Sequence, residues 1–348
     1  MGYYLPKLAP PFENALMLLF AELASAATEQ SQAFLGSPGS LSERTNDNGT
    51  RFWVHRYSDP TGRRVETYLG AATDPATDLK TAALRDRIAV ANANIERVRI
   101  LARSGFSTVD RKTYATLASL HNHGLFDAGA MLIGSHAYGA LLNALGVRSG
   151  GYKTEDIDIA RGERLSLAGE TSFLEMLRAT GIAFGEVPAL GHRSPSTSFK
   201  ERGGSRLRVD LLAPARDSSY PTIAVPELAA HASGQPYLAY LLGTSQELPL
   251  LSPFGVLRVR VPTPERLAVH KLIASQLRSR TSAKSDKDVR QAAALIEVMT
   301  EKFPGAIQDA LQAVPKTARR SLARGVEALR RQLPDYSAAA WEQLTAKI

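Results

Sequence analysis

The sequence contains no cysteine, which excludes disulfides, thiolate metal sites and thiol nucleophiles and agrees with a reducing compartment. It also lacks an apolar run of about 18 residues, the length that a membrane-crossing helix requires. The most apolar N-terminal stretch, residues 15–27, carries Glu22 and follows no basic segment of the kind that opens a secretory signal. These absences predict a cytoplasmic protein. No internal repeat or long low-complexity tract is present, so a solenoid and wholesale disorder are set aside. What remains is ordinary globular composition: 348 residues, 44% hydrophobic and 22% charged, enough for two or three domains with their own cores.

Charge is less evenly spread. Lys and Arg number 42 against 34 Asp and Glu, a net charge of +8. Residues 258–290 hold nine basic and three acidic side chains, and residues 316–331 hold six and one. Such stretches suit a polyanion, either a nucleotide triphosphate or an RNA backbone.

Periodicity divides the chain into three parts. In residues 1–108 the spacing predicts a helix over 12–34, a β-hairpin over 51–69 turning at Asp59-Pro60-Thr61-Gly62, and one long helix over 74–103 with Pro75 in its first turn. In residues 109–215 the pattern gives a helix at 109–122, an apolar strand at 130–133, a helix at 136–145 and strands at 156–160 and 207–212. A short helix falls at 173–179, and a Ser-, Arg- and Gly-rich loop at 191–204. Residues 216–348 read as mainly helical, with one strand at 257–261 and helices at 264–277, 286–303, 306–314, 316–332 and 337–347.

Three short pieces carry the chemistry. Gly134-Ser135 ends an apolar strand and opens a helix, whose positive end can accept phosphate on backbone N–H groups. Asp156 and Asp158 stand two apart on a strand, so they project to one face while Ile157 and Ile159 enter the core. Asp210 lies in Arg208-Val209-Asp210-Leu211-Leu212, a second strand with the same apolar flanks. Adjacent carboxylates repel unless a cation sits between them. Mg²⁺ or Mn²⁺, hard ions that take carboxylate and phosphate oxygens, fit an open set of this kind. Weaker candidates are His121 and His123, which lack a third ligand, and Tyr138 and Phe199, which could stack on a base.

The combination resembles the DNA polymerase β-like nucleotidyltransferase superfamily, whose members carry Gly-Ser or Gly-Gly, then Asp-x-Asp/Glu, then a third carboxylate on a later strand. The resemblance covers about 80 residues, 131–212. It implies an α+β fold, with a core of a short mixed sheet and flanking helices and a helical C-terminal domain. It also implies metal-dependent transfer of an NMP from an NTP such as ATP to an acceptor hydroxyl or phosphate, with release of pyrophosphate. Gly134 and Ser135 would bind the phosphates, with His136 beside them on phosphate or ribose, and Asp156, Asp158 and Asp210 would hold the metal. The sequence departs from that pattern in one respect: twenty residues separate Ser135 from Asp156, where about a dozen are usual, and residues 146–154 with Arg148 and Lys153 form the longer connection.

The basic helix opening at Pro264-Glu265 carries Lys271 beside the apolar Leu272, and Lys287-Asp288 begins the next helix. This arrangement is similar to the bacterial abortive-infection type of nucleotidyltransferases. That likeness implies Lys271 on the triphosphate, Lys287 as added positive charge and Asp288 near the acceptor or the metal shell, with the cleft between core and C-terminal helices. The basic helices favour RNA, especially a tRNA end, as acceptor, ahead of a protein side chain or small molecule. The alternative reading is a catalytically silent nucleotide- or nucleic-acid-binding partner in a toxin–antitoxin or defence system. A phosphodiester hydrolase ranks below both, because Gly134-Ser135 suits a bound triphosphate.

Overall fold

A computed structural model describes residues 8–148, 150, 154–167, 169, 171–188, 194–216, 219–277 and 283–345. The chain begins with α1 (Asn14–Glu29), three strands β1 (Ser40–Thr45), β2 (Arg51–Ser58) and β3 (Arg64–Ala71), and the long α2 (Pro75–Arg103). The expected hairpin is β2–β3. Its Asp59 Oδ1 accepts from the Thr61 and Arg63 amides at 2.9 Å each, fixing the turn. β1 adds a third antiparallel strand, which the polar sequence Ser-Leu-Ser-Glu-Arg-Thr does not announce. Asp74 caps α2 by accepting from the Ala76 amide at 3.0 Å, with Pro75 in the first turn as expected.

Next come α3 (Arg111–Asn122), β4 (Met131–Ile133), α4 (Gly134–Ala144), β5 (Asp156–Ala160), α5 (Phe173–Arg178), β6 (Phe184–Glu186), β7 (Ser198–Glu201) and β8 (Arg208–Pro214). They are followed by β9 (Thr222–Val225) and β10 (Ala230–Gln235). The mixed sheet runs β4-β5-β8-β10-β9, with β7 also on β8 and β6 on β7. β5 and β8 are parallel, residue 156 opposite 208 and 158 opposite 210. β7 takes part of the stretch expected as loop, pairing Ser198 with Asp210. Residues 191–193 of that stretch, and Lys153 of the long connection, lie outside the described residues.

The chain continues through α6 (Leu238–Leu242), the hairpin β11 (Ser245–Ser252) and β12 (Gly255–Pro262), α7 (Pro264–Ser275), α8 (Ala283–Lys302), α9 (Ala306–Gln312), α10 (Arg319–Gln332) and α11 (Ala338–Thr345). The expectation of mainly helical structure from residue 216 is thus corrected between 222 and 262, where β9, β10 and β11 join the anticipated strand near 257. β9 is only four residues long, and β10 is rich in Ala, Ser and Gly, so neither shows a clear apolar alternation. β11 contains Pro249, which argues against an interior strand but is tolerated in a two-stranded hairpin with open edges. From residue 264 the expected helices are present.

One continuous apolar core joins α3, α4, the mixed sheet and α7–α11. A smaller core lies beneath α1 and α2, where Phe12 and Phe106 stack with ring centroids 3.8 Å apart against Leu251 and Val256. Among the described residues no helix is long and apolar enough to cross a membrane.

Candidate active site

The face of the mixed sheet opposite its core gathers the carboxylates. Ile157, Ile159, Val209 and Leu211 are fully buried, so alternation turns Asp156, Asp158 and Asp210 to the other side, half-buried. Register sets Asp158 beside Asp210 and Asp156 beside Arg208, placing Arg208 on the same face.

Gly134 joins the turn before α4 to this face. Its φ is +70°, a left-handed conformation that favours glycine, and a Cβ there would overlap Asp158 Oδ2 and lie 3.2 Å from Asp158 Cγ. Glycine is therefore needed both for the turn and for the carboxylate packed upon it. α4 starts at Gly134, and no side chain caps it, which leaves its first N–H groups open toward an anion. The long connection before Asp156 does not separate the two halves of the motif. Its first residues, 146–148, lie against the N-terminal segment, where the Arg148 amide donates to Pro10 O at 2.9 Å.

Asp156 and Asp210 hold side-chain cations. Lys284 Nζ lies 3.2 Å from Asp156 Oδ2, and Arg208 Nε donates to Asp210 Oδ1 at 2.7 Å. The Ser198 hydroxyl also donates to Asp210 Oδ1 and accepts from Arg208 Nη2 at 2.7 Å. Among the described residues no three acidic or histidine side chains converge closely enough to enclose an ion. The donor set of hard oxygens on one open face nonetheless fits a divalent cation in kind. Sequence reasoning missed Ser198 and Arg208. The signal for Arg208 was present: it stands two residues before Asp210 on one strand and so shares its face.

Opposite stands a wall made by α7 and α8. Lys271 Nζ donates to Asp288 Oδ1 at 2.9 Å, and the two residues are 5% and 8% exposed, so the pair is interior. The Ser285 hydroxyl, donating to Ser275 O at 2.8 Å, ties the same two helices. Lys287 is half-buried. Burial, followed by the neighbouring Lys271 charge, lowers its pKa, while Asp288 and Asp158 pull it up, which puts its ammonium within electrostatic reach of the sheet carboxylates.

His136 occupies the seam between turn and wall. It is 9% exposed, and its Nε2 has no hydrogen-bond partner among the described residues. Burial pushes its pKa down to about 4 against the pull of Asp110, with Lys287 lowering and Asp156 raising it further. The imidazole is neutral at pH 7. A cleft of about 1480 Å³ opens next to it, lined by Ser135, His136, Asp110, Arg148, Glu155 and Phe254 among others. Its far wall comes from residues 105–110, upstream of the motif. Phe199 is core rather than a stacking platform, 1% exposed with its ring centroid 5.2 Å from that of Phe173, and Tyr138 is buried too. The rings of His121 and His123 bond the carbonyls of Gln30 and Ser119, as packing and capping residues do.

Comparison with known proteins bears on the family of the chain. A crystal structure of an antigenic nucleotidyltransferase-like protein from Paracoccidioides brasiliensis is 17% identical over 68% of this chain and 93% of that one. Its TM-score of 0.39 is too low to carry an argument about the fold. No curated protein matches. A family model described as nucleotidyltransferase matches residues 111–315, from the start of α3 through α9, and so spans the turn, all three strand carboxylates and the α7–α8 wall. With more than half of its length inside that match, the chain belongs to the nucleotidyltransferase family.

Proposed function

We propose that this protein transfers an NMP from an NTP to an acceptor hydroxyl or phosphate, with release of pyrophosphate, at the face formed by Asp156, Asp158 and Asp210. The observation that carries this reading is the seating of Gly134 on Asp158, which puts an uncapped helix N-terminus against the paired carboxylates although twenty residues intervene in sequence. This arrangement supports the reading of a polymerase β-like core. Asp156 and Asp158, with Asp210 as third ligand, would hold Mg²⁺ or Mn²⁺; such an ion, when bound, lowers the pKa of an attacking hydroxyl and neutralises the leaving pyrophosphate.

The chain's own groups position the reactants. Backbone N–H groups at the start of α4 receive the triphosphate. Lys287, half-buried and within electrostatic reach of Asp158, adds positive charge there. Lys271 acts through Asp288: their buried bond fixes α7 against α8 and so sets the direction of Lys287. Ser198 and Arg208 hold Asp210 by one oxygen, in the manner of outer-shell partners that orient metal-binding carboxylates. Positioning and electrostatics supply the rate enhancement.

The acceptor in this reading is RNA, a tRNA end in particular. A second reading, a catalytically silent nucleotide-binding protein of a defence or toxin–antitoxin pair, draws on the Lys284–Asp156 and Arg208–Asp210 contacts, which engage two of the three carboxylates. One assay separates them. The protein is incubated with each α-labelled NTP, Mg²⁺ or Mn²⁺ and total RNA, beside the Asp156→Ala/Asp158→Ala variant. Label transferred only by the unaltered protein is the expected result. NTP binding without transfer would favour the silent reading, and equal transfer by both proteins would show that Asp156 and Asp158 are not the metal ligands of the reaction.

A further inference from the structure

Several arginines of this protein are matched to acids. Arg44 and Arg56 share Glu66, Arg258 reaches both Asp127 and Glu247, and Arg161 pairs with Glu227. The basic side chains of α10 gather without such partners. Arg319, Arg320, Arg324 and Arg331, with Lys316 in the 3-10 turn just before, are exposed and make no ion pair among the described residues. Arg320, Arg324 and Arg331 fall at positions i, i+4 and i+11, one stripe about 16 Å long. Glu327 is the one acid within it.

The opposite side of α10 is fixed. Leu322, Val326 and Leu329 are buried, and a Cβ at Gly325 would overlap the carbonyl of Leu272, so α10 lies directly on α7. The basic stripe therefore faces outward on a rigid support. Like charges one turn apart repel and weaken an isolated helix. Within this helix Glu327 alone offsets the repulsion, whereas a bound polyanion would meet every charge of the stripe. The stripe presents no large exposed apolar side chain to insert into a lipid surface, which disfavours a membrane as its partner.

One end of the stripe meets the site. Gln332 Nε2 donates to Asp286 Oδ1 at 2.7 Å, in the first turn of α8, and Lys284 two residues earlier reaches Asp156. We propose that α10 is a docking surface for a nucleic-acid phosphate backbone, held so that a strand lying along it ends at the carboxylate face. Docking stands on the unpaired charges alone. Delivery of an acceptor end rests on the nucleotidyl-transfer reading.

Short fluorescein-labelled RNA and DNA oligonucleotides of equal length are titrated with the full chain by anisotropy over a KCl series, which tells the two backbones apart. The quadruple variant Lys316→Gln/Arg320→Gln/Arg324→Gln/Arg331→Gln is compared with the corresponding Arg→Lys variant of the three arginines, both checked for unchanged circular dichroism. Each phosphate contact on a single strand contributes about −0.7 to the slope of log K against log salt, so four contribute about −3. The Gln variant is expected to lose more than about tenfold in affinity and most of that slope. The Lys variant, with its charges kept, is expected to retain binding. No binding to either oligonucleotide, an unchanged Gln variant, or α10-dependent binding to anionic lipid vesicles in place of nucleic acid would each overturn the proposal. Asp156→Ala/Asp158→Ala should dock normally. Docking with no label transfer by the unaltered protein would sink the transferase reading and leave the surface standing; transfer with no docking would do the reverse.

Discussion

α8 contributes to two Lys–Asp pairs one helical turn apart, and they differ mainly in burial. Lys284 reaches Asp156 on the sheet at 3.2 Å with side chains 66% and 38% exposed, while Asp288 takes Lys271 of α7 at 2.9 Å with side chains 11% and 6% exposed. The outer pair sits in water and can exchange partners at small cost. The inner pair is removed from water, so neither member can leave without stranding the other's charge. Equal chemistry therefore does two jobs: the buried pair locks the wall, and the exposed pair covers a carboxylate that the proposed reaction requires to be released when a cation or triphosphate arrives.

The largest effect expected from this contrast is on stability. Asp288→Ala should destabilise the fold by about 3–5 kcal/mol, since it leaves the Lys271 ammonium buried and unpaired. Lys271→Met/Asp288→Leu, which removes both charges, should recover most of that loss. Urea denaturation of the three proteins decides the matter; a double variant no more stable than the single one would show that the pair's hydrogen bond, rather than its stranded charge, is what matters.

How far the sequence revealed this site follows from the distinction between local and long-range information. Asp156, Asp158 and Asp210 were legible because alternation is local: Ile157, Ile159, Val209 and Leu211 announce the buried face, and the carboxylates follow on the other. Gly134 was legible as a turn, but its seating on Asp158 was not, because that contact joins residues far apart in sequence, across α4 and the connection after it. β1, β9 and β10 were missed since pairing partners, not apolar alternation, make them strands. Ser198 lay inside a stretch that reads as loop, and only its place opposite Asp210 gives it a role. For Lys271, the apolar Leu272 beside it suggested a core surface, yet nothing local says that its anion is Asp288, 17 residues on.

His136 extends the comparison to a titrating group. Its folded-state pKa, about 4, lies below the ordinary 6.5, so protonation favours the unfolded chain. Its contribution is fully present above about pH 6.5 and is lost as pH falls toward 4. The size is on the order of 3 kcal/mol, at 1.36 kcal/mol per pH unit. His136→Gln should flatten that part of the stability–pH curve. Urea midpoints at a series of pH values measure it, and a curve for the variant parallel to that of the parent would mean that other groups set the acid limit.

Arg208 tests whether a cation on the open face supports or merely blocks its carboxylate. Ser198 and Arg208 both bond Oδ1 of Asp210, so removing one should loosen the carboxylate's aim rather than the fold. Arg208→Gln is expected to weaken Mn²⁺ binding, followed by electron paramagnetic resonance, by about tenfold while changing stability by less than about 1 kcal/mol. Tighter Mn²⁺ binding in the variant would mean that Arg208 competes with the ion and would reverse its assignment as a positioning group.

Lys284→Met gives the smallest expected change and the most direct reading of the outer pair. The side chain is exposed, so its loss should alter unfolding free energy by under about 1 kcal/mol. That is several-fold less than the change at Asp288, only one turn further along the same helix. If Lys284 covers Asp156 until a cation arrives, removing it should make Mn²⁺ binding tighter, by about twofold to fivefold at the energy of a surface ion pair. If Lys284 instead helps to hold a triphosphate, Mn²⁺ affinity should stay constant and NTP affinity should fall. The sign of the change in Mn²⁺ binding thus separates a group that leaves the site from one that acts in it, which the distance from Lys284 to Asp156 alone does not do.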